Sequence, residues 1–450
     1  MQPHNNDGCN FFDIQKNCDT IILVEKIKGV KKLELYLNKI KSAGNYIKTF
    51  IRWVFLASIT GFIGGVIGTL FHVSVEHATE FRVENNWIIL FLPIGGVVIA
   101  VLYKMFKMSD SKGTNQIINS IRSDQKVPFV LAPLIFISTF ITHLFGGSAG
   151  REGAALQLGG SIGSFVGSFF HLDEKDMHLI TLCGMSSVFA ALFGTPLTAT
   201  LFAMEVISIG VIYYSSLVPC LVSSLMAYGV SLYFGVVPVR FYLSYIPDLT
   251  FKTIIMTVML AALCALLSIV FIVSMKKTEH LMESKLKNIY VRGFVGGLII
   301  VIMTVLLKTG DYNGAGMNII EKAIGGTARP EAFILKIIFT AITIAAGFKG
   351  GEIVPTFFIG ATFGCFAGSL LGLNPGFSAA IGLVALFCGV VNAPIASIIL
   401  SIELFGAEGL MIFAIACSVS YMLSGYYGLY SSQKIVYSKL KAEFININAK

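Results

Sequence analysis

Long stretches without a charged side chain are the feature that most limits how this chain can fold. At about 1.5 Å of rise per residue, the longer stretches can cross the roughly 30 Å hydrocarbon layer of a bilayer as helices. The stretches comprise residues 53–75, 87–103, 127–145, 211–235, 254–275 and 294–307. We therefore predict an all-α polytopic membrane protein that spans the cell membrane and is surrounded by lipid.

The few charged residues support this prediction and also orient the chain. They make up 13% of the 450 residues, whereas a soluble globular domain carries about 25%. The net charge is +8, and lysine and arginine concentrate in residues 26–52, 104–126, 276–292 and 434–450. The positive-inside rule predicts that these segments, and hence both termini, are cytoplasmic. Since topology accounts for the basic excess, no nucleic-acid partner is predicted.

Residues 1–47 are predicted to form a polar, basic leader in the cytoplasm. No secretory signal fits, because the first apolar stretch begins only at Trp53, far beyond the n-region of a signal peptide. Residues 21–47 are amphipathic and basic. They either lie on the inner membrane surface or belong to a partly disordered leader.

No cofactor or metal site is predicted. The eight cysteines form no CxxC pair, and most lie in apolar stretches, where a free cysteine is typical of a small buried side chain. His143 lies in an apolar run, and no HExxH or other paired-histidine spacing accompanies it. It is predicted to be a hydrogen-bonded residue of the helix packing.

Four landmarks recur in the same order about 200 residues apart, which indicates an internal repeat. Glu152 follows Gly150-Arg151 and Glu352 follows Gly350-Gly351, and each glutamate precedes another glycine by eight positions. Gly-Thr-Asn at 113–115 is echoed by Gly-Met-Asn at 316–318. Pro196 and Pro394 each precede a glutamate, Glu205 or Glu403, by nine positions. We predict two halves, residues 48–245 and 246–440, followed by a short cytoplasmic tail at 441–450.

Many apolar segments are too short to span a bilayer or are interrupted by glycine and proline. Interrupted helices at membrane depth are tolerated where they line a polar pathway. If the halves are inverted, the short helices that begin near Glu152 and Ile353 would point their N-termini at one midplane position. Helix N-termini carry partial positive charge and free N–H groups, so this position is a predicted anion site.

Each acidic residue also has a purely structural interpretation. Arg151 and Glu152 could neutralise each other at a helix start, and Glu352 could form a salt bridge with Lys349. Glu205 and Glu403 are predicted to be satisfied structural carboxyl groups. By position alone, Tyr430 is a tyrosine of the aromatic belt at the membrane interface.

Taken together, these motifs resemble those of the CLC family of chloride channels and proton-coupled anion antiporters, over about residues 50–440. Gly-Arg-Glu-Gly at 150–153 is similar to the family's gating-glutamate motif, and the segment 351–355 is similar to its second anion-binding motif. The paired segments 184–205 and 382–403 match its paired helices. Gly-Leu-Tyr-Ser at 428–431 resembles the segment that carries its pathway tyrosine.

Departures from the chloride pattern resemble the fluoride-exporting branch of that family. The loop at 111–115 reads Ser-Lys-Gly-Thr-Asn and lacks the family's anion-binding serine, and Val206 stands where chloride/proton antiporters carry an inner proton-transfer glutamate. Glu352 stands where chloride members have an apolar residue. Desolvation favours the neutral form of a carboxyl group, and a neutral acid donates a strong hydrogen bond to fluoride.

The resemblance implies a secondary transporter that exports fluoride against protons, as a homodimer with one pathway per subunit. Glu152 would be the external gate and the proton carrier. The implied anion-binding residues are Gly113, Thr114, Asn115, Arg151, Gly153, Gly351, Glu352, Ile353, Val354 and Tyr430. The short tail implies that the cytoplasmic nucleotide-binding pair of some relatives is absent.

The main alternative is a chloride/proton antiporter or a chloride channel on the same fold. An intramembrane enzyme that uses Glu152 and Glu352 as acid and base would need a nucleophile, a metal or a substrate pocket, and the sequence indicates none of these. An adaptor protein would not need paired ionisable residues at helix starts.

Overall fold

The computed structural model describes residues 11–109, 111–123 and 127–450, with side chains from residue 41 onward in these ranges and at Lys39. In the first half the helices are α1 (Phe11–Glu84), α2 (Leu92–Met105), α3 (Thr114–Ser120), α4 (Leu131–Phe145), α5 (Glu152–Phe169), α6 (Glu174–Phe193), α7 (Pro196–Glu205) and α8 (Leu217–Tyr233). In the second half they are α9 (Phe251–Lys285), α10 (Ile289–Leu307), α11 (Met317–Ile324), α12 (Ala332–Ala345), α13 (Ile353–Leu370), α14 (Pro375–Val391), α15 (Pro394–Phe405) and α16 (Leu410–Leu423). Two 3-10 helices, Asn86–Phe91 and Tyr214–Ser216, precede α2 and α8.

Helices long enough to span a membrane are present, as we predicted from the charge-free stretches. Within the described ranges, seven helical segments are long and apolar enough to cross a bilayer. Five further apolar helices of 10–17 residues are too short to do so alone: Leu131–Phe145, Ala332–Ala345, Pro375–Val391, Pro394–Phe405 and Leu410–Leu423. The prediction of a helical membrane protein with short and interrupted helices is confirmed.

The chain divides into two compact units, residues 1–55 and 56–450. In the first unit the backbone is helical from Phe11 onward, and the side chains from Lys41 to Arg52 are exposed. Residues 1–10 lie outside the described residues, as do the side chains of 11–38 and of Ile40. The predicted amphipathic surface over 21–47 falls mostly on these side chains and stays a prediction.

Equivalent helices pack in the same way in the two halves of the second unit. Helix α5 packs against α6 and α13 against α14. A Cβ atom added to Gly159 would lie 2.2 Å from the Gly184 carbonyl oxygen, and one added to Gly360 would lie 2.4 Å from the Gly382 carbonyl oxygen. Both helix pairs therefore approach so closely that a methyl group does not fit between them.

Helices α7 and α15 exchange caps across the boundary between the halves. The Glu205 carboxylate, at the end of α7, accepts hydrogen bonds from the first N–H groups of α15 at Ile395 (3.2 Å) and Ala396 (2.8 Å). The Glu403 carboxylate accepts the corresponding bonds from Leu197 (3.0 Å) and Thr198 (2.8 Å) at the start of α7. An acid at a helix N-terminus is favourable for both charge and hydrogen bonding. The two glutamates are thus structural carboxyl groups, as predicted.

A small sheet follows the last helix, and the sequence analysis did not predict it. Strand β1 (Ser208–Ile209) pairs in parallel with β2 (Lys434–Tyr437), which pairs antiparallel with β3 (Phe444–Asn448). Ile209, Ile435 and Ala449 form its buried core. The residues predicted to be a basic tail are therefore folded against the segment that follows α7 in the first half.

Candidate functional site

The two halves meet where Gly150 and Gly351 pair as an isolated antiparallel bridge. Each N–H group donates to the other residue's carbonyl oxygen at 2.7 Å. Helices α5 and α13 begin two residues beyond the bridge, at Glu152 and Ile353. Both helices thus start from one position, as predicted, and their partial positive charges add there. At 18 residues each they are longer than the short helices that the sequence predicted. We call this position the crossing.

The structure shifts the register of the repeat by one residue at this position. Helices α5 and α13 both have 18 residues and start 201 positions apart (353 − 152). The residue before each helix is Arg151 in the first half and Glu352 in the second. The sequence interpretation that Glu152 and Glu352 occupy equivalent positions is therefore wrong. Glu152 corresponds to Ile353, and Glu352 corresponds to Arg151.

Glycine at the crossing is required by close backbone contacts. A Cβ atom added to Gly351 would lie 2.2 Å from the Gly153 nitrogen and 2.8 Å from its Cα atom. One added to Gly153 would lie 2.8 Å from the Gly351 Cα atom. A Cβ atom added to Gly150 would also be crowded, because Val354 and Pro355 in the first turn of α13 lie within 3.2 Å of its position. Ile353 and Val354 are both buried.

Glu152 lies at the crossing with only 1% of its surface exposed. Its Oε2 atom accepts a hydrogen bond of 3.0 Å from the Arg151 N–H group and lies 2.7 Å from the Cβ position of Gly150. The Arg151 Nε atom is 3.8 Å from Glu152 Oε1. The pairing of Arg151 with Glu152 is therefore real, and it places the carboxyl group where an anion bound at the two helix N-termini would lie.

Glu352 reaches the crossing from the second half. It is partly buried, and its Oε2 atom lies 3.3 Å from the Cβ position of Gly153. Among the described residues, the ion pairs within 4.0 Å do not include Glu352 with Lys349. The Lys349 ammonium lies instead 4.5 Å from the centre of the Tyr103 ring. The structure therefore contradicts a direct salt bridge and leaves the Glu352 carboxyl group at the crossing.

Residues 113–115, at the start of α3, join the crossing to residues 427–433, which we call the Tyr430 segment. The Thr114 hydroxyl donates to the Gly153 carbonyl oxygen (3.3 Å) and accepts from the Gln157 amide (3.3 Å). The Asn115 side-chain oxygen accepts a hydrogen bond of 2.9 Å from the Ser432 N–H group. Gly113 has a φ angle of +58°, which glycine adopts readily. These residues thus link the crossing to the Tyr430 segment.

Tyr430 is buried with its hydroxyl group free. Its side chain is 2% exposed, and within the described part of the chain its Oη atom has no hydrogen-bond partner. A buried hydroxyl without a partner is costly unless it meets a ligand or water. Tyr430 is therefore a candidate ligand-binding residue and not a tyrosine of the lipid interface.

Sequence reasoning missed the residues that hold the loop before Glu152. Asn313 donates to the Gly146 carbonyl oxygen at 2.9 Å. Lys336 is fully buried, and its ammonium donates to the carbonyl oxygens of Tyr312 (3.2 Å) and Gly314 (2.6 Å). A lysine in the otherwise apolar run of α12 was the available signal, because an intramembrane charge is costly unless it has partners.

His143 makes the helix contact that the sequence predicts. Its Nδ1 atom lies 2.9 Å from the Thr139 carbonyl oxygen one turn earlier, and the residue is 1% exposed. Across the described residues, no group of three or more histidine, cysteine or acidic side chains could hold a metal ion.

Comparison with known proteins identifies the family. The profile of the voltage-gated chloride channel family matches residues 95–425. A chloride/fluoride channel protein of Pseudomonas syringae pv. tomato is 34% identical over 395 residues, which cover 86% of this chain and 87% of that protein. An H(+)/Cl(-) exchange transporter ClcA of Vibrio campbellii is 24% identical over 405 residues, which cover 82% of this chain and 85% of that protein.

Solved structures agree. The crystal structure of a CLC-type fluoride/proton antiporter has a TM-score of 0.82 and 32% identity, and covers 85% of this chain and 98% of that one. A slow cyanobacterial Cl-/H+ antiporter, at a TM-score of 0.73 and 21% identity, shares the fold over 83% of this chain and 94% of that one. The chain therefore belongs to the CLC, or voltage-gated chloride channel, family and is a multi-pass membrane protein that transports anions.

Proposed function

We propose that this protein exports fluoride across the cell membrane in exchange for protons. The observation that carries the proposal is the Glu352 carboxyl group at the crossing, 3.3 Å from the Cβ position of Gly153. The relatives named for fluoride, at 34% and 32% identity, are more similar to this chain than the chloride exchangers at 24% and 21%.

The chemistry of two O–H donors, one at the crossing and one on Tyr430, favours fluoride. A neutral Glu352 carboxyl group and the free Tyr430 hydroxyl each offer one O–H donor, and O–H donors form their strongest bonds with compact, charged acceptors. Fluoride is the smallest halide and the strongest acceptor among them. Chloride spreads the same charge over a larger radius, so it gains less from these donors.

Glu152 is proposed to be the gate and the proton carrier. Ionised, its carboxylate occupies the crossing beside the Arg151 N–H group. Protonation removes its charge and weakens its hold on the helix N-termini, so the side chain can leave and an anion can take its place. Repeated exchange moves one proton inward for each departure of the side chain and moves fluoride outward.

The remaining predicted residues are proposed to line the route. Gly113, Thr114 and Asn115 form its inner wall, because they join Gly153 to the Tyr430 segment. The amides of residues 351–354 offer N–H donors at the start of α13. The Glu205 carboxylate is occupied at both oxygens by N–H groups of α15, so the inner proton step does not use this residue.

The arrangement in the cell is part of the same proposal. Residues 48–245 and 246–440 form the two halves, both termini and the tail at 441–450 face the cytoplasm, and the leader at 1–47 lies on that side. The protein is proposed to be a homodimer with one pathway in each subunit. These assignments are supported by the distribution of lysine and arginine and by the family's architecture.

Anion efflux from proteoliposomes tests the function. Vesicles loaded with the potassium salt of fluoride or of chloride are diluted into halide-free buffer with a potassium ionophore, so that potassium efflux balances the charge. Efflux is recorded with ion-selective electrodes while a trapped dye reports internal pH. We expect fluoride efflux well above chloride efflux, with uptake of protons. Equal or faster chloride efflux would instead support the alternative, a chloride/proton antiporter or chloride channel on this fold, and efflux without proton movement would support a channel.

A further inference from the structure

The Tyr430 hydroxyl has no hydrogen-bond partner among the described residues, but backbone hydrogen bonds hold the segment that carries it. The N–H group of Gly428 donates to the Lys450 carbonyl oxygen (3.1 Å), and that of Leu429 donates to the Val390 carbonyl oxygen (3.0 Å). The Tyr430 carbonyl oxygen accepts from the Gln433 N–H group at 3.0 Å. The backbone thus fixes the tyrosine while leaving its hydroxyl free for a ligand, which is how a preorganised site is built.

One side chain contacts both ends of this segment. Asn392 is 1% exposed and lies just after α14. Its amide nitrogen donates to the Tyr427 carbonyl oxygen (2.9 Å) and to the Gln433 side-chain oxygen (3.3 Å). The Gln433 amide in turn donates to the Val391 carbonyl oxygen at 3.0 Å. Residues 427 and 433, on either side of Tyr430, are therefore tied to the end of α14.

The other side of the Asn392 amide is held by Lys439, from the turn between β2 and β3. The Lys439 ammonium donates to the Asn392 side-chain oxygen, to the Tyr421 carbonyl oxygen (2.9 Å) and to the Ser424 hydroxyl (3.1 Å). It also lies 4.3 Å from the centre of the Tyr421 ring. Both the nitrogen and the oxygen of the Asn392 amide group are therefore hydrogen-bonded, the nitrogen to Tyr427 and Gln433 and the oxygen to Lys439.

The backbone does not explain why position 392 carries asparagine. Asn392 has a φ angle of +57°, a conformation that glycine adopts at lower cost. The corresponding residue of the first half, at the end of α6, is Gly194 with a φ angle of +70°. Each donates its backbone N–H group to the carbonyl oxygen four residues earlier. Asparagine is also among the residues that tolerate this conformation, but only its side chain supplies the amide that Tyr427, Gln433 and Lys439 contact.

We propose that Asn392, supported by Gln433 and Lys439, is a positioning residue that sets the location of the Tyr430 hydroxyl in the anion pathway. The inference rests on the proposed function in that Tyr430 is taken to bind the transported anion. Asn392 does not touch the anion and acts only through the segment.

Asn392→Gly is the matched variant, because glycine keeps the left-handed backbone and removes only the amide. We expect the fluoride concentration for half-maximal efflux to rise about tenfold, the effect of one lost hydrogen bond to the anion, with a smaller change in maximal rate. Tyr430→Phe should show a similar rise. The double variant should be no worse than Tyr430→Phe alone, because coupled residues are not additive. Additive effects would overturn the proposal.

Asn374→Ala controls for loss of stability. Asn374 caps the other end of α14 through the Phe377 N–H group (3.0 Å), so its removal weakens the same helix. We expect this variant to melt at a lower temperature with an unchanged fluoride concentration for half-maximal efflux. An equal rise in both variants would show that Asn392 contributes stability only.

A second readout does not depend on which anion is transported. Tyr430 is replaced by 3-fluorotyrosine, and its ¹⁹F resonance is recorded in detergent. The resonance should shift or broaden in Asn392→Gly and stay unchanged in Asn374→Ala. An unchanged resonance in Asn392→Gly would overturn the inference, whereas chloride efflux above fluoride efflux would overturn only the proposed function.

Discussion

Replacing Gly351 with alanine tests whether the crossing is the transport site. The added Cβ atom would lie 2.2 Å from the Gly153 nitrogen, whereas unbonded carbon and nitrogen atoms need about 3.4 Å or more. The two backbones must therefore separate by roughly 1 Å. The paired hydrogen bonds between Gly150 and Gly351, now 2.7 Å each, would lengthen beyond the range of a normal bond.

This displacement has two consequences of different size. Losing both buried backbone hydrogen bonds would leave two N–H and two C=O groups unsatisfied, at a cost of about 4–12 kcal/mol, since each unsatisfied group costs about 1–3 kcal/mol. A misplacement of about 1 Å at a reacting or binding centre can reduce a rate about 100-fold. We expect fluoride efflux of Gly351→Ala to fall by that order, measured in proteoliposomes with a fluoride electrode, together with a lower melting temperature.

Two control variants separate the site from general packing. Gly360→Ala creates a similar clash, 2.4 Å from the Gly382 carbonyl oxygen, but along α13 and away from the crossing. It should lower the melting temperature without a matching loss of fluoride-over-chloride preference. Gly229→Ala in α8 meets nothing within 4 Å and should be neutral. Gly351→Ala with native efflux and preference would refute the reasoning.

Three further variants test single side chains. Glu152→Gln should abolish proton coupling, because glutamine keeps the shape but cannot exchange a proton; protons still driven uphill by an anion gradient would remove Glu152 from the mechanism. Glu352→Ala should lower fluoride efflux about tenfold or more through a lost donor, and a stability loss that vanishes in the double variant with Lys349→Ala would make Glu352 structural. Burial lowers the pKa of Lys439 to about 7, below the roughly 10.4 of an unfolded lysine. Between these two pH values the unfolded chain binds a proton that the folded chain lacks, so the folded state gains stability as pH rises. The melting temperature of the native protein should therefore rise relative to that of Lys439→Met from about pH 7 to about pH 10. A constant difference between the two melting temperatures would contradict this pKa.

The membrane fold could be predicted because its signals are local. A charge-free run such as 254–275 has few alternatives to a spanning helix, and it lies within α9 as expected. The sheet could not be predicted, because β1 has only two residues and pairs with a strand more than 220 positions later. Asn392 was missed for a similar reason, since its partners Tyr427, Gln433 and Lys439 come from a segment without a strong pattern.

The site itself was predicted residue by residue from motifs, but the contacts among these residues came only from the structure. Thr114 and Asn115 were expected to line a route. In the structure the Thr114 hydroxyl bonds to Gly153 and the Asn115 amide oxygen bonds to Ser432, so the two residues connect these parts of the site. The salt bridge between Glu352 and Lys349 was a reasonable expectation at a spacing of three. It fails because the lysine lies over the Tyr103 ring instead.

The one-residue error in the repeat has a physical origin. Matching the two glutamates gives a register of 200, but helix packing follows the glycines, and each of the pairs Gly159 with Gly360 and Gly163 with Gly364 is 201 positions apart. At all four positions an added Cβ atom would lie 2.2–2.4 Å from a carbonyl oxygen of the partner helix, so glycine is obligatory there. In this register the local two-fold relation of the antiparallel bridge pairs an arginine, residue 151, with an acid, residue 352. The two acids at the crossing are therefore not copies of one another. One, the proposed gate, begins its helix beside that arginine. The other precedes its helix at the position that the arginine holds in the first half, where we propose that it binds the anion.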